Sequence, residues 1–75
     1  MPANDYQYTA IQSIKNSVSG GGWLLTNLGH RMEGEVAKVE IERINRATGK
    51  HQTQRFDIDV KGNATNTYSY EKDLD

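Results

Sequence analysis

The 75-residue chain predicts a mainly β or α+β fold, a small antiparallel meander sheet of four to five strands centred on one long hairpin over about 36–46 and 51–61. Two strict alternations point to it. Ala37, Val39 and Ile41 recur at period two, as do Phe56, Ile58 and Val60, which is the pattern of strands with one buried face. The third observation is punctuation: Gly20 to Gly22, Gly34, Gly49 and Gly62 cut the chain into short segments separated by turn signals.

Taken in order, Met1 to Asp5 is polar and is expected to be a frayed tail. Tyr6 to Val18 has two readings. As a strand over Tyr6 to Ile14, which the Tyr, Thr and Ile content favours, it puts Tyr6, Tyr8, Ala10 and Ile14 on one face, with Gln12 as an intruder. As a helix over about 9–18, it starts on a capping box of Thr9 and Gln12 and aligns Ile11, Ile14 and Val18 in a stripe. Ser17 to Gly22 is a flexible turn. Trp23 to Leu28 is a short apolar run suited to a second buried strand, and Gly29 to Gly34 reads as a loop, although Leu25, Leu28 and Met32 also share a helical spacing.

In the central hairpin, a two-residue Thr48-Gly49 turn sets Ala37 opposite Val60, Val39 opposite Ile58 and Ile41 opposite Phe56. The other face then pairs Lys38 with Asp59, Glu40 with Asp57, Glu42 with Arg55 and Ile44 with Thr53. Cross-strand pairs contribute only about 0.2–1 kcal/mol each, but a one-residue slip would exchange the two faces. A rival helix over 35–47 would align Val36, Val39, Ile44 and Ala47 and pair Glu42 with Arg46. Ile41 falls off that stripe, and the strand reading is preferred. Gly62-Asn63 marks a further turn, and Thr65 to Tyr70 alternates as a last strand that would set Tyr68 beside Ile58 and Tyr70 beside Phe56. Glu71 to Asp75 is expected to be a frayed acidic tail.

A chain of this length forms a single small domain with a thin core, since only 35% of its residues are hydrophobic. A second copy of the chain is a natural supplement to such a core, so a homodimer is among the expected states. The net charge is −1, so no global field draws the protein to nucleic acid or to a membrane surface. There is no cysteine, no signal-like N-terminus and no apolar run near the roughly 20 residues of a membrane span. The expectation is a soluble, cytoplasmic protein, in which the glycosylation match at Asn63-Ala64-Thr65 is fortuitous.

One charge anomaly stands out. Residues 43 to 55 carry Arg43, Arg46, Lys50 and Arg55 with His51 and no acid, a local charge of +4, while the rest of the chain carries −5. These five residues form a candidate partner-binding tip, rich in donors for carboxylates or phosphates. The tyrosines are a second candidate: Tyr6 with Tyr8, and Tyr68 with Tyr70, could form stacking platforms for bases. The competing roles are a solvated turn for the tip and packing material for the rings. His30 and His51 lack metal-ligand spacing, the serines lack a nucleophile motif, and Ser19 to Gly22 lacks the residues of a phosphate loop. No catalytic residue, metal or cofactor is predicted. The sequence therefore suggests a non-catalytic binding or adaptor module, using a sheet edge or the basic tip on a protein partner with an acidic surface. The alternatives are a nucleic-acid-binding domain using the tip and the tyrosines and, less favoured, a small enzyme or metal protein.

Overall fold

In the computed structural model, which describes residues 2–73, one helix packs on a four-stranded antiparallel sheet. The helix α1 spans Asp5–Ser17, and the strands are β1 (Trp23–Glu33), β2 (Val36–Asn45), β3 (Lys50–Ile58) and β4 (Ala64–Asp73). The strands follow one another in space as in sequence, β1-β2-β3-β4, which is the expected meander. β1 and β4 form its two edges.

The N-terminal segment is a helix over its whole length, and the preferred strand from Tyr6 to Ile14 is corrected. The start signal lies five residues ahead of Thr9. Asn4 caps the helix, its side chain accepting from the Gln7 amide at 2.9 Å while Gln7 Oε1 accepts from the Asn4 amide at 3.0 Å. This reciprocal box satisfies two donors that a helix N-terminus otherwise leaves unpaired. Asp5 in the first turn and Lys15 in the last suit the helix dipole. Ala3 is buried, so the ordered chain begins ahead of the helix, and only Met1 of the expected N-terminal tail lies outside the described residues.

The core joins Ile11 and Val18 to Ala37, Val39, Ile41 and Ile58, with Leu25, Leu28, Met32 and Phe56 around them. Gln7 is buried among these groups at 1% exposure, and its Nε2 donates to the carbonyls of Glu35 at 2.8 Å and Ile58 at 3.1 Å. One side chain thus ties the helix to the β1–β2 turn and to the end of β3, with every polar atom satisfied.

The hairpin register is two residues away from the expected one. Ala37 faces Ile58, Val39 faces Phe56 and Ile41 faces Gln54. An even slip keeps each residue on its expected face, so Ala37, Val39, Ile41 and Ile58 are still buried, but Val60 leaves the sheet and is exposed. Two causes are visible. Lys38 now meets Asp57 at 2.8 Å and Glu40 meets Arg55 at 2.8 Å, so the Glu40–Asp57 clash of the shorter turn disappears. At the tip, Asn45 Oδ1 accepts from the amides of Ala47 and Thr48, and the Gly49 amide donates to the Asn45 carbonyl. This Asn-centred turn spans residues 46–49 and takes the place of the two-residue turn.

β1 runs through the segment expected to be a loop, to Glu33, and the chain turns at Gly34 and Glu35. A bulge at Thr26 rephases the strand, so that Leu25 and Leu28 point to the helix side together. That is why WLLTNL shows no clean alternation. β4 likewise extends beyond Tyr70 to Asp73, where Lys50 meets Asp73 at 2.6 Å, so residues 71–73 are strand and not a frayed tail; Leu74 and Asp75 lie outside the described residues.

Candidate functional site

The helix is 13 residues long, about 20 Å, while the molecule extends 40 Å along its longest axis. The helix therefore covers only the base of the sheet. Beyond it, the tip half is held by Arg43, which sequence alone marks as a binding residue. Its Nη1 donates to the Val18 carbonyl at 2.8 Å, its Nε donates to Gln52 Oε1 at 2.6 Å, and its guanidinium lies 4.0 Å from the centre of the Trp23 ring. Burial lowers the Arg43 pKa, and the nearby Glu71 opposes that effect. The side chain is a clamp between the end of α1 and the start of β1.

The other tip residues are placed individually. Lys50 is engaged by Asp73, and the hydrogen bond between them raises its pKa. Arg55 is paired with Glu40 and lies 4.8 Å from the centre of the Tyr68 ring. His51 is half-buried opposite Ile44, and Arg46 is exposed in the turn, where its amide donates to the Gly22 carbonyl at 3.1 Å. Asn45, itself buried, also donates to the Gly21 carbonyl at 3.2 Å. The tip therefore rests on the triple-glycine turn. Three of its five candidate residues, Arg43, Lys50 and Arg55, are engaged within the molecule.

The tyrosines do not form one platform. Tyr6 and Tyr8 sit two apart on a helix and so do not share the face that a strand would give them. Tyr8 meets the edge of the His30 ring at 5.7 Å, over the margin of β1. Tyr68 and Tyr70 lie on the opposite, uncovered side of the sheet, across from Arg55 and Thr53 and not beside Ile58 and Phe56. A bulge at Thr67 sets this phase, with the Asn66 side chain donating to the Arg55 carbonyl at 3.2 Å. The rings are consequently exposed at 42% and 52% and are not core material.

Two surfaces follow from this placement. The uncovered face carries a shallow depression of about 610 Å³ lined by Gly29, Arg31, Lys38, Glu40, Arg55 and Asp57, in which Lys38 pairs with Asp57 and Arg55 with Glu40. The second surface is β4 itself. All ten of its residues are exposed, and its outer edge pairs with no strand among the described residues. From Tyr68 to Asp73 the edge runs without a further bulge. The sequence signals for this surface are the TNTYSY alternation and the acids after it. Glu71 and Asp73 supply the complement to the basic tip, and reading them as a tail hides the second half of the strand.

Among the described residues, no three His, Asp or Glu side chains are grouped to hold a metal ion, and no helix is long and apolar enough to cross a membrane. No family model, curated protein or solved structure matches the chain.

Proposed function

We propose that this chain is a small non-catalytic protein-binding module that takes up an extended segment along the outer edge of β4. The observation that carries this reading is the ten-residue strand exposed at every position, with an outer edge that pairs with no strand among the described residues. A row of free backbone donors and acceptors is a template for one more strand, with main-chain hydrogen bonds giving affinity and alternate side chains giving selectivity. On the uncovered face a bound strand would lie beside Tyr68 and Tyr70, two rigid rings of the kind that dominate interface energetics.

The β1 edge is less suited to this role. Its Tyr8–His30 contact, reaching across from α1, crowds one face of that strand. The basic tip is also a weaker candidate, because Arg43, Lys50 and Arg55 are already engaged. A photo-crosslinking amino acid placed at residue 70, and separately at residue 46, discriminates edge from tip in the protein's native cells. The edge reading expects adducts from position 70 and none from position 46; the reverse pattern would replace it with binding through the tip.

A further inference from the structure

We infer that one occupant of the β4 edge is the β4 of a second copy of this chain, paired antiparallel about a two-fold axis perpendicular to the sheet. The inference rests on the edge reading above and names its partner. Such an axis keeps each face of the sheet on its own side, so residues pair only with residues of the same face. Tyr68, Tyr70 and Lys72 form one set, and Ser69, Glu71 and Asp73 form the other.

Charge then selects the register. An axis through Glu71 sets that carboxylate against itself, and an axis through Lys72 does the same with two ammonium groups; like charges directly opposed are unfavourable. An axis through Ser69 sets Tyr68 beside Tyr70 of the second copy, twice. An axis through Tyr70 opposes the two Tyr70 rings and sets Tyr68 beside Lys72 of the second copy, a ring–cation pair. In both favourable registers four tyrosine rings that are exposed in the single chain become contiguous on the uncovered face. The result is one eight-stranded sheet with both helices on the same side, within the ordinary size of open sheets. It also gives β4 the second strand neighbour that it lacks among the described residues.

The chain contains no cysteine, so single-cysteine variants report the contact without interference. Residues directly opposed in an antiparallel pair have Cα atoms about 4.5–5.5 Å apart, within disulfide reach. Sedimentation equilibrium on the wild-type chain from about 5 to about 500 µM should show a reversible monomer–dimer equilibrium. Under mild oxidation Ser69→Cys or Tyr70→Cys should form a disulfide-linked dimer, while Arg46→Cys at the tip should not. Tyr70→Asp, with circular dichroism showing the sheet retained, should weaken the dimer at least about tenfold, because it opposes two carboxylates in the Tyr70 register and removes both ring–ring pairs in the Ser69 register. Tyr6→Lys, on the helix, should leave it unchanged. A wild-type chain that stays monomeric throughout, or a dimer that crosslinks through residue 46 and not through 69 or 70, overturns the self-pairing. The edge reading fails separately, when position 70 yields no adduct to any protein, its own copy included.

Discussion

Replacing Gln7 by Met removes the one polar side chain that spans the helix, the β1–β2 turn and the end of β3, at nearly constant volume. Three hydrogen bonds are lost, those to the carbonyls of Glu35 and Ile58 and the one from the Asn4 amide. They do not cost the same. Glu35 and Asn4 are exposed and regain water, whereas Ile58 is fully buried, so its carbonyl bears most of the penalty. An unsatisfied buried group costs about 1–3 kcal/mol, and with a smaller share for the capping box the sum is about 2–3 kcal/mol. A domain of this size has roughly 4–11 kcal/mol in total, so the loss is a large fraction and corresponds to a melting temperature roughly 10–20 °C lower. Urea titration followed by Trp23 fluorescence measures it. Gln12→Ala, which removes only an exposed contact to Asn16, is the control and should change stability by less than about 0.5 kcal/mol. If Gln7→Met falls in the same range as Gln12→Ala, the buried bridge is not what docks the helix.

Two glycines should respond in opposite ways to a side chain. Gly62 has φ +86°, and an added Cβ would lie 2.9 Å from the Tyr6 carbonyl oxygen, so Gly62→Ala should destabilise by roughly 1–3 kcal/mol. Gly29 sits in a strand with open space above it, so Gly29→Val should be neutral or up to about 1 kcal/mol stabilising by thermal melting. Arg43→Ala should cost about 1–3 kcal/mol through loss of the Val18 and Gln52 bonds, and should shift Trp23 emission to the red as that ring loses its cover. Asp59 accepts from the amides of Asn63 and Lys61, and these bonds, the one from Asn63 foremost, lower its pKa below the unfolded value. Its contribution is therefore present above the unfolded carboxylate range and lost as pH falls through the folded pKa. Thermal melts from about pH 6 to about pH 2 should show less acid destabilisation for Asp59→Asn than for the wild type.

The sheet was legible in the sequence because its central pair is covered on one face only. Ala37, Val39, Ile41 and Ile58 alternate with charged residues, and any even register preserves that pattern. For the same reason the alternation leaves two-residue slips undecided, and the register depends on Asn45, whose turn-forming role is not visible in hydrophobicity. The helix was obscured because two of its least polar-looking residues, Tyr6 and Tyr8, are exposed, and its anchor is a buried glutamine. Apolar periodicity points to Ile11, Ile14 and Val18 but cannot find Gln7. β1 was cut short because a bulge and Gly29 break its period.

The basic tip shows how far charge counting reaches. The excess over residues 43–55 is real in sequence, but Glu71 and Asp73, distant along the chain, and Glu40, just ahead of the segment, meet it across the sheet, and Trp23 takes up Arg43. The candidate surface is thus not the most charged segment but the last strand of the sheet, with Tyr68 and Tyr70 ahead of Glu71, Lys72 and Asp73. Nothing in the composition of TNTYSY distinguishes a covered strand from an open edge; that is a property of strand order, which places β4 last.

The outer edge of β4 pairs with no strand among the described residues, and we propose that another strand covers it. Hydrogen–deuterium exchange at about 5 and about 500 µM tests it directly, since pairing by mass action protects amides only at the higher concentration. Alternate amides between Tyr68 and Asp73 should exchange rapidly in the dilute sample and be protected in the concentrated one, while β1 amides should be unchanged in both. Protection that appears along β1 while β4 stays unchanged would contradict it.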